Sequence, residues 1–476
     1  MTTATVTNVK STEWAVTSWL ASTGWAVFLG AASGSACVAI RLFFRLLQWV
    51  FVQQTGMLPI VAATLPPARR MLTPIIGAAL ATLVVWMMRR RAPDLHFDEY
   101  VEAVRLRSGR IPLLSTVWRT ASSAFSVATG AAIGREGSMI QFAAAISSWV
   151  GERSPLRNLS LSRQVAYGAA AAVAAAYQAP IAGVFFVTEI VLGEWAWCDI
   201  PPLLLASSTG WLISRLLLGA GPLFPVRGSL PVTHDLLWVL PLALVVGAVG
   251  PAYQKLLHFS SAAKRLPFAL LWSGLAVGVL SLIEPKVWGN GDAALLGILQ
   301  NKAMLLGIFS VFTLRLVATT FCVGTGTVGG VFTPTLFAGA ALGLATGHLL
   351  HNPEPSILAI CGMGLLMAAV THGPVMAALM AVELTGQWHL LPIILPCTLL
   401  ASSIARTISS ESLYAIASPE PAQTFGPSRD TGDEPGHGRE FPHSSIQDGR
   451  TASELQPGRG RTAAHATGNH PADQGA

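Results

Sequence analysis

The sequence predicts an all-α protein that crosses a membrane many times. Of its 476 residues, 52% are hydrophobic and only 11% are charged, whereas charged residues make up roughly 25% of a soluble domain. Apolar segments follow one another from about Trp14 to Ile408. Several are shorter than the ~20 residues of a perpendicular span, and Gly or Pro interrupts many of them. This pattern predicts helices of uneven length, partly broken and tilted, that pack against other protein segments.

The apolar segments can be followed in chain order. They cover residues 25–52, 71–88, 112–133, 139–150, 181–198, 201–218, 236–257 and 267–283, and then run almost unbroken to Ile408. We therefore assign residues 14–416 to one membrane domain, preceded by a polar N-terminal segment over 1–13. Residues 418–476 are rich in Pro, Gly, Ser, Asp, Arg and His without apolar periodicity, so we expect a disordered C-terminal tail.

The net charge of +6 predicts topology and not nucleic-acid binding. Six arginines lie in one connecting segment between Arg89 and Arg110, and an excess of Arg in a short loop places that loop in the cytoplasm. We expect a multi-pass protein of the plasma (inner) membrane, in contact with the lipid bilayer, with both termini in the cytoplasm.

An internal repeat is visible when the chain is moved against itself by 194 positions. Residues 178–189 then fall on 372–383, with Pro and Glu matched in each, and Glu136 falls on Gly330. The alternative is a chance match between apolar segments of simple composition. We predict a duplicated domain with halves over roughly 20–220 and 233–416. Secondary transporters are often duplicated in this way, and their sites lie where half-helix N-termini converge.

The segment from Gly134 to Gly137 carries the strongest functional signal. Its Arg135 and Glu136 are the only charged residues between Arg119 and Glu152. An ionisable pair inside an apolar membrane segment costs a few kcal/mol at least, and such pairs concentrate at substrate pathways. The alternative is a static ion pair with no role in transport.

Two glycine turns suit an anion. Gly134 and Gly137 precede one predicted helix, and Gly330, Val331 and Phe332 precede another. A helix N-terminus has unpaired N–H groups and about half a positive charge, so it holds an anion without a full cation. Because the Glu136 carboxylate competes with an anion for these N–H groups when ionised and not when protonated, we interpret it as a gate.

Other motifs do not support a cofactor or an enzyme. Residues 324–329 match GxGxxG but have no surrounding βαβ unit. The sequence has neither a P-loop nor an HExxH motif, so we predict no metal and no cofactor. A membrane-embedded enzyme using Ser138 is a distant alternative, because Ser138 lacks a GxSxG context.

These motifs resemble those of the CLC family of chloride channels and proton/chloride antiporters. Residues 134–137 resemble the family's GREGP motif, residues 330–334 its GxFxP motif, and residues 176–183 with Glu189 its AAAFxAPxAGxxFxxE segment. Tyr414 falls where the family has an anion-contacting tyrosine. The resemblance covers roughly residues 20–416.

The resemblance implies a homodimer with one ion pathway per subunit. It implies about eighteen membrane helices in two inverted repeats, with helix ends meeting at chloride. Glu136 would be the gating glutamate, and the anion-binding set would be Gly134, Arg135, Gly137, Gly330, Val331, Phe332 and Tyr414. For Tyr414 the alternative is a tyrosine of the interfacial belt.

Two departures from the family pattern concern coupling and selectivity. The region where the family has GSGIP, about forty residues before Glu136, contains no Ser-Gly-Ile-Pro, so the central serine hydroxyl is missing or replaced. Ile190 stands where antiporters of the family have a proton-relaying glutamate. A bacterial branch of the family resembles the chain in both features. We therefore expect channel-like or weakly coupled chloride permeation, with proton/chloride antiport as the alternative.

Overall fold

The computed structural model describes residues 4–92, 99–154, 156, 159–219, 221–226, 237–300 and 305–414, with the backbone alone at 4–20 and 305. Seventeen α-helices lie in this part of the chain. In order they are α1 (Ala4–Val52), α2 (Leu58–Thr64), α3 (Pro67–Arg91), α4 (Tyr100–Leu106), α5 (Leu113–Ala128), α6 (Glu136–Gly151), α7 (Leu161–Tyr177), α8 (Pro180–Phe186), α9 (Ile200–Leu218), α10 (Val239–Phe259), α11 (Ala269–Ile283), α12 (Asp292–Leu299), α13 (Leu305–Gly324), α14 (Phe332–Leu349), α15 (Pro355–Thr371), α16 (Pro374–Thr385) and α17 (Leu391–Ile408).

The prediction of an all-α fold with helices of uneven length is confirmed. Among the residues that the structure describes, five helical stretches are long and apolar enough to cross a membrane: Ala21–Val52, Pro67–Arg91, Val239–Arg265, Leu306–Gly324 and Trp388–Ile408. Several other apolar helices have only seven to seventeen residues. The predicted tail over 418–476 lies outside the described residues, as does the segment 93–98, where most of the missing GSGIP motif would fall.

Two helices, α7 and α15, are almost entirely buried. Each has 17 residues, and they begin 194 residues apart. All residues of α15, and all of α7 from Gln164 onward, are buried. Alanine dominates α7, and its one glycine lets the backbone approach its neighbours closely: a Cβ on Gly168 would collide with Ser147 and Ser33. The helices α6 and α14 pack against α7 and α15 respectively, which fixes where their N-termini lie.

The helices α8 and α16 also correspond. Each begins with a proline, Pro180 or Pro374, which suits the first helical position because its missing N–H has no intrahelical partner there. A π-helical turn, Val187–Leu192, extends α8. The two helices contact each other, and through this contact each receives a glutamate from the other half of the chain at its first turn.

The glycine turns correspond with a different spacing from the rest of the repeat. Helix α6 begins at Glu136 and α14 at Phe332, which are 196 residues apart. The constant offset of 194 was therefore wrong at this point, where it matched Glu136 with Gly330. The first half has two more residues between the starts of α6 and α7 than the second half has between the starts of α14 and α15. Gly134 is therefore the structural counterpart of Gly330.

Candidate functional site

The two glycine turns meet inside the protein. The Gly134 N–H donates to the Gly330 carbonyl and the Gly330 N–H donates to the Gly134 carbonyl, each at 2.7 Å. This two-residue antiparallel bridge joins the segments that enter α6 and α14. No side chain fits between them, because a Cβ on Gly134 would lie 2.8 Å from the Gly330 oxygen. The glycines are thus required by the close approach of two backbones.

The N-termini of α6 and α14 therefore lie side by side. A Cβ on Gly137 would lie 2.9 Å from both the nitrogen and the Cα of Gly330. The N–H groups of Gly137, Ser138, Val331 and Phe332 donate to no other backbone group within the described residues. First-turn N–H groups have no intrahelical acceptor, and two such helix ends reinforce each other's positive potential. This is an arrangement that stabilises a small anion.

Glu136 is 4% exposed, and its side chain lies beside the bridge. Its Oε1 lies 3.8 Å from Arg135 Nε and accepts a 2.9 Å hydrogen bond from Asn290 Nδ2. Its Oε2 has no hydrogen-bond partner within the described residues and lies near Gly134. The carboxylate therefore accepts no bond from the helix N–H groups and is held by a side chain from the loop before α12.

That loop is fixed by a buried cation. Arg315 on α13 is 1% exposed. Its guanidinium donates to the four consecutive carbonyls of Lys286, Val287, Trp288 and Gly289, at 2.6 to 3.4 Å. Carbonyl oxygens offset the cost of burying the charge only when several surround it. The run of four carbonyls leads directly into Asn290.

The orientation of the Asn290 amide is also fixed. Asn290 is 8% exposed, and its Oδ1 accepts from the Asp292 N–H at 3.2 Å. Since the oxygen binds the backbone, the amide nitrogen points at Glu136. Asp292 is the first residue of α12, and its carboxylate accepts from the Ala293 N–H at 2.8 Å.

Aromatic side chains line the other side of the α14 N-terminus. The Tyr177 ring lies 4.8 Å from the Phe332 ring, Phe186 lies 6.4 Å from Phe332, and Tyr414 stands edge-on to Phe186 at 5.8 Å. The Leu413 N–H donates to the Val370 carbonyl and holds this end of the chain in place. Tyr414 thus packs, partly buried, beside α8 and α15.

Two hydroxyl groups face each other beside Phe332. Thr333 Oγ1 is buried without a hydrogen-bond partner within the described residues. The Tyr177 hydroxyl lies close enough to interact with Thr333 and with the charge of Glu136, but the two hydroxyls do not meet hydrogen-bond geometry. The sequence motif of the family has Phe where this chain has Tyr177, so this chain places an additional hydroxyl at the α14 N-terminus.

Positive charge surrounds the Glu136 carboxylate. Arg41 on α1 is buried, and its Nε has no hydrogen-bond partner within the described residues. It interacts electrostatically with Arg135, Arg45 and Glu136. Two guanidinium groups, those of Arg135 and Arg41, therefore interact with the Glu136 carboxylate, and Arg45 interacts with both of these arginines. This leaves an excess of positive charge on this side of the glycine bridge.

The position where the resemblance implies a proton-relaying glutamate holds Ile190. Ile190 is buried, and its carbonyl accepts from Arg105 at 2.6 Å. The neighbouring Glu189 carboxylate accepts from the N–H groups of Val375 and Met376 at 3.2 and 2.8 Å.

Ser138 is the residue that the enzyme alternative would use as its catalyst. Its hydroxyl donates a hydrogen bond to the hydroxyl of Ser123 at 2.6 Å.

The structure brings most of the expected site residues together. Gly134 and Gly137 meet Gly330 directly, and Arg135 and Glu136 lie between these two glycines in the chain. Tyr414 joins the site through Phe186, which packs against Phe332. Sequence reasoning missed Asn290, Arg315, Arg41 and Tyr177 as contributors. An isolated Arg in the apolar run 305–324 was a usable signal for Arg315, since a membrane charge needs partners. Asn290 offered no signal beyond its glycine-rich turn.

The fold and the site define a multi-pass membrane protein in which two helix N-termini converge on a glutamate within the protein. The sequence model of the voltage-gated chloride channels matches residues 77–406. The chain therefore belongs to the voltage-gated chloride channel (CLC) family.

Similar proteins agree with this assignment. A putative chloride channel protein ClcB-like of Ralstonia nicotianae is 37% identical over 82% of this chain and 94% of its own length. A voltage-gated ClC-type chloride channel ClcB of Salmonella dublin is 34% identical over 82% of this chain and 97% of its own. The crystal structure of a slow cyanobacterial Cl⁻/H⁺ antiporter superposes with a TM-score of 0.73 at 24% identity, covering 83% of this chain and 96% of its own. That likeness concerns the fold.

Proposed function

We propose that this protein conducts chloride passively, or with weak coupling, across the inner membrane of a bacterium. The observation that carries the proposal is the meeting of the α6 and α14 N-termini at the Gly134–Gly330 bridge, where first-turn N–H groups have no backbone acceptor. Gly134, Gly137, Gly330, Val331 and Phe332 form the proposed anion site, with Tyr414 at its inner side and Arg135 raising the local positive potential.

Glu136 is the proposed gate. Its carboxylate lies next to the bridge and is small enough to replace an anion at the same N–H groups. When it is ionised it competes with chloride, and when it is protonated it has no charge to hold it there. Transport should therefore increase as the pH falls.

Flux measurements in liposomes test this proposal. Purified protein should dissipate a chloride gradient, and its rate should rise at low pH. Glu136→Ala should transport chloride at a rate nearly independent of pH, because the competing carboxylate is gone. A protein that moves no chloride, or a Glu136→Ala variant with the wild-type pH profile, would contradict the proposal.

Proton/chloride antiport is the second candidate, supported by the fold it shares with a solved antiporter. Ile190 argues against it, because an aliphatic side chain carries no proton. Glu189 offers no substitute while its carboxylate accepts from two backbone N–H groups. The reversal potential under combined chloride and proton gradients separates the two: a passive pathway follows the chloride gradient alone.

The proposal includes a homodimer, as expected for the family, with a complete ion pathway in each subunit. Both termini are proposed to lie in the cytoplasm, because of the arginine-rich segment between Arg89 and Arg110. Single-molecule photobleaching of labelled protein in liposomes measures the subunit number, and two bleaching steps are expected.

A further inference from the structure

We propose that Asn290 is the receptor that holds the gate away from the anion site. The inference rests on the proposed function, since it concerns the Glu136 carboxylate in its role as a competitor of chloride. In the structure this carboxylate accepts a bond from Asn290 Nδ2 and none from the N–H groups of α6 or α14. The amide thus defines the position of the side chain when the helix N-termini are free for chloride.

The receptor is preorganised before the gate arrives. Asn290 Oδ1 is bound by the Asp292 N–H, and Arg315 holds the four preceding carbonyls. The amide nitrogen of Asn290 therefore has one orientation. Little conformational entropy of the loop is lost when the Glu136 carboxylate binds to it. Arg315 is a positioning residue that acts through Asn290.

A neutral donor suits this task better than a cation. The charged groups that face Glu136 are Arg135 beside it and Arg41 on α1, while Tyr177 on α7 and Cys37 on α1 face it as neutral groups. A full cation in place of Asn290 would hold the ionised gate tightly and release it poorly. An amide donor offers one hydrogen bond, so the gate can exchange between the amide and the helix N-termini. The equilibrium between these two positions sets how strongly the gate competes with chloride.

The chain contains a matched control for Asn290. Asn352, in the loop between α14 and α15, is 9% exposed, and its Oδ1 accepts from the Glu354 N–H two residues on, at 2.9 Å. Its Nδ2 has no partner within the described residues. The two asparagines thus share burial and turn geometry and differ in whether the amide nitrogen binds the gate.

The experiment compares Asn290→Ser with Asn352→Ser, each in the wild-type and in the Glu136→Ala background. Serine keeps an oxygen for the loop turn and is too short to reach Glu136, so the fold is retained; Asn290→Ala serves as a second variant. The chloride concentration that gives half-maximal flux in liposomes is measured at neutral pH, where the gate is ionised.

We expect Asn290→Ser to raise this concentration by about tenfold or more, the usual effect of losing one hydrogen bond to a charged group. In the Glu136→Ala background the same substitution should have no effect, and Asn352→Ser should have none in either. An unchanged Asn290→Ser, or an equal shift without the gate, would overturn the inference. If Glu136→Ala itself behaves as wild type, it is the proposed gate that fails.

Discussion

Glu189 and Glu383 each bind the first turn of the helix that carries the other. The Glu189 carboxylate accepts from the N–H groups of Val375 and Met376 on α16. The Glu383 carboxylate accepts from those of Ile181 and Ala182 on α8, at 3.0 and 2.7 Å. The acceptors are 194 residues apart, and so are the donors. A carboxylate at a helix N-terminus is stabilised by the helix dipole, so this exchange joins the two halves by matched contacts.

Replacing Glu383 should destabilise the protein. Glu383→Ala leaves two N–H groups unpaired in a low-dielectric interior, and we expect a loss of about 3 kcal/mol or more in the free energy of unfolding. Glu383→Gln keeps one acceptor oxygen and should lose less. Thermal unfolding in detergent, followed by tryptophan fluorescence, measures the change. Because the contacts are reciprocal, Glu189→Ala should lower the melting temperature about as much as Glu383→Ala does. A Glu383→Ala variant as stable as wild type would show that the contacts contribute little to stability.

The loop before α12 should depend on Arg315. Arg315→Met removes four hydrogen bonds and leaves several carbonyls without donors, so we expect a loss of about 3–5 kcal/mol in stability. Arg315→Lys keeps the charge, but one ammonium group cannot reach four carbonyls, and an intermediate stability is expected. Thermal unfolding measures both variants. If Arg315→Lys is as stable as wild type, the charge and not the shape of the guanidinium is what matters.

The Tyr177 hydroxyl should contribute to anion binding. Tyr177→Phe removes the oxygen beside Thr333 and keeps the ring against Phe332, so we expect weaker chloride binding, by about fivefold, with little change in stability. Isothermal titration with chloride measures the affinity. Tyr167→Phe is the matched control, because Tyr167 is a buried tyrosine on the same helix, and it interacts electrostatically with Asp199 and Arg163. Equal affinities in wild type and Tyr177→Phe would remove this hydroxyl from the proposed site.

Side chains should not be tolerated at the glycine bridge. A Cβ on Gly134 would lie 2.8 Å from the Gly330 oxygen and 2.5 Å from Glu136 Oε2. Gly134→Ala must therefore separate the two helix N-termini, and we expect loss of most chloride flux together with reduced stability. Gly297→Ala is the control, because a Cβ there meets nothing within 4 Å and alanine favours a helix. Chloride flux in liposomes compares the two, and normal flux through Gly134→Ala would contradict the close approach.

Much of the fold follows from the sequence for physical reasons. The apolar composition predicts a membrane protein, and short apolar runs broken by Gly or Pro predict helices of uneven length. The Pro and Glu that repeat in residues 178–189 and 372–383 are the residues that form the reciprocal contacts at the starts of α8 and α16. The offset at the glycine turns was wrong by two residues, because apolar segments of similar composition do not reveal small differences in length between repeats.

The candidate site is harder to predict than the fold. Gly134, Glu136 and Gly330 are recognisable because charge and glycine are unusual in an apolar segment. Asn290 lies 154 residues from Glu136 in sequence, and an Asn in a glycine-rich turn is ordinary. Its importance depends on where Arg315 holds the loop, which only the folded chain shows.

The complete burial of α15 and of most of α7 has a consequence for biogenesis. A helix rich in Ala such as α7 has weak affinity for lipid, and α7 is buried within the protein from Gln164 to its end. We therefore expect α7 to leave the translocon late, or to remain beside it until α6 and α9 are inserted and can pack against it. The order of membrane insertion would then differ from the order of synthesis, and the two buried helices would be the steps at which assembly in the cell most often fails.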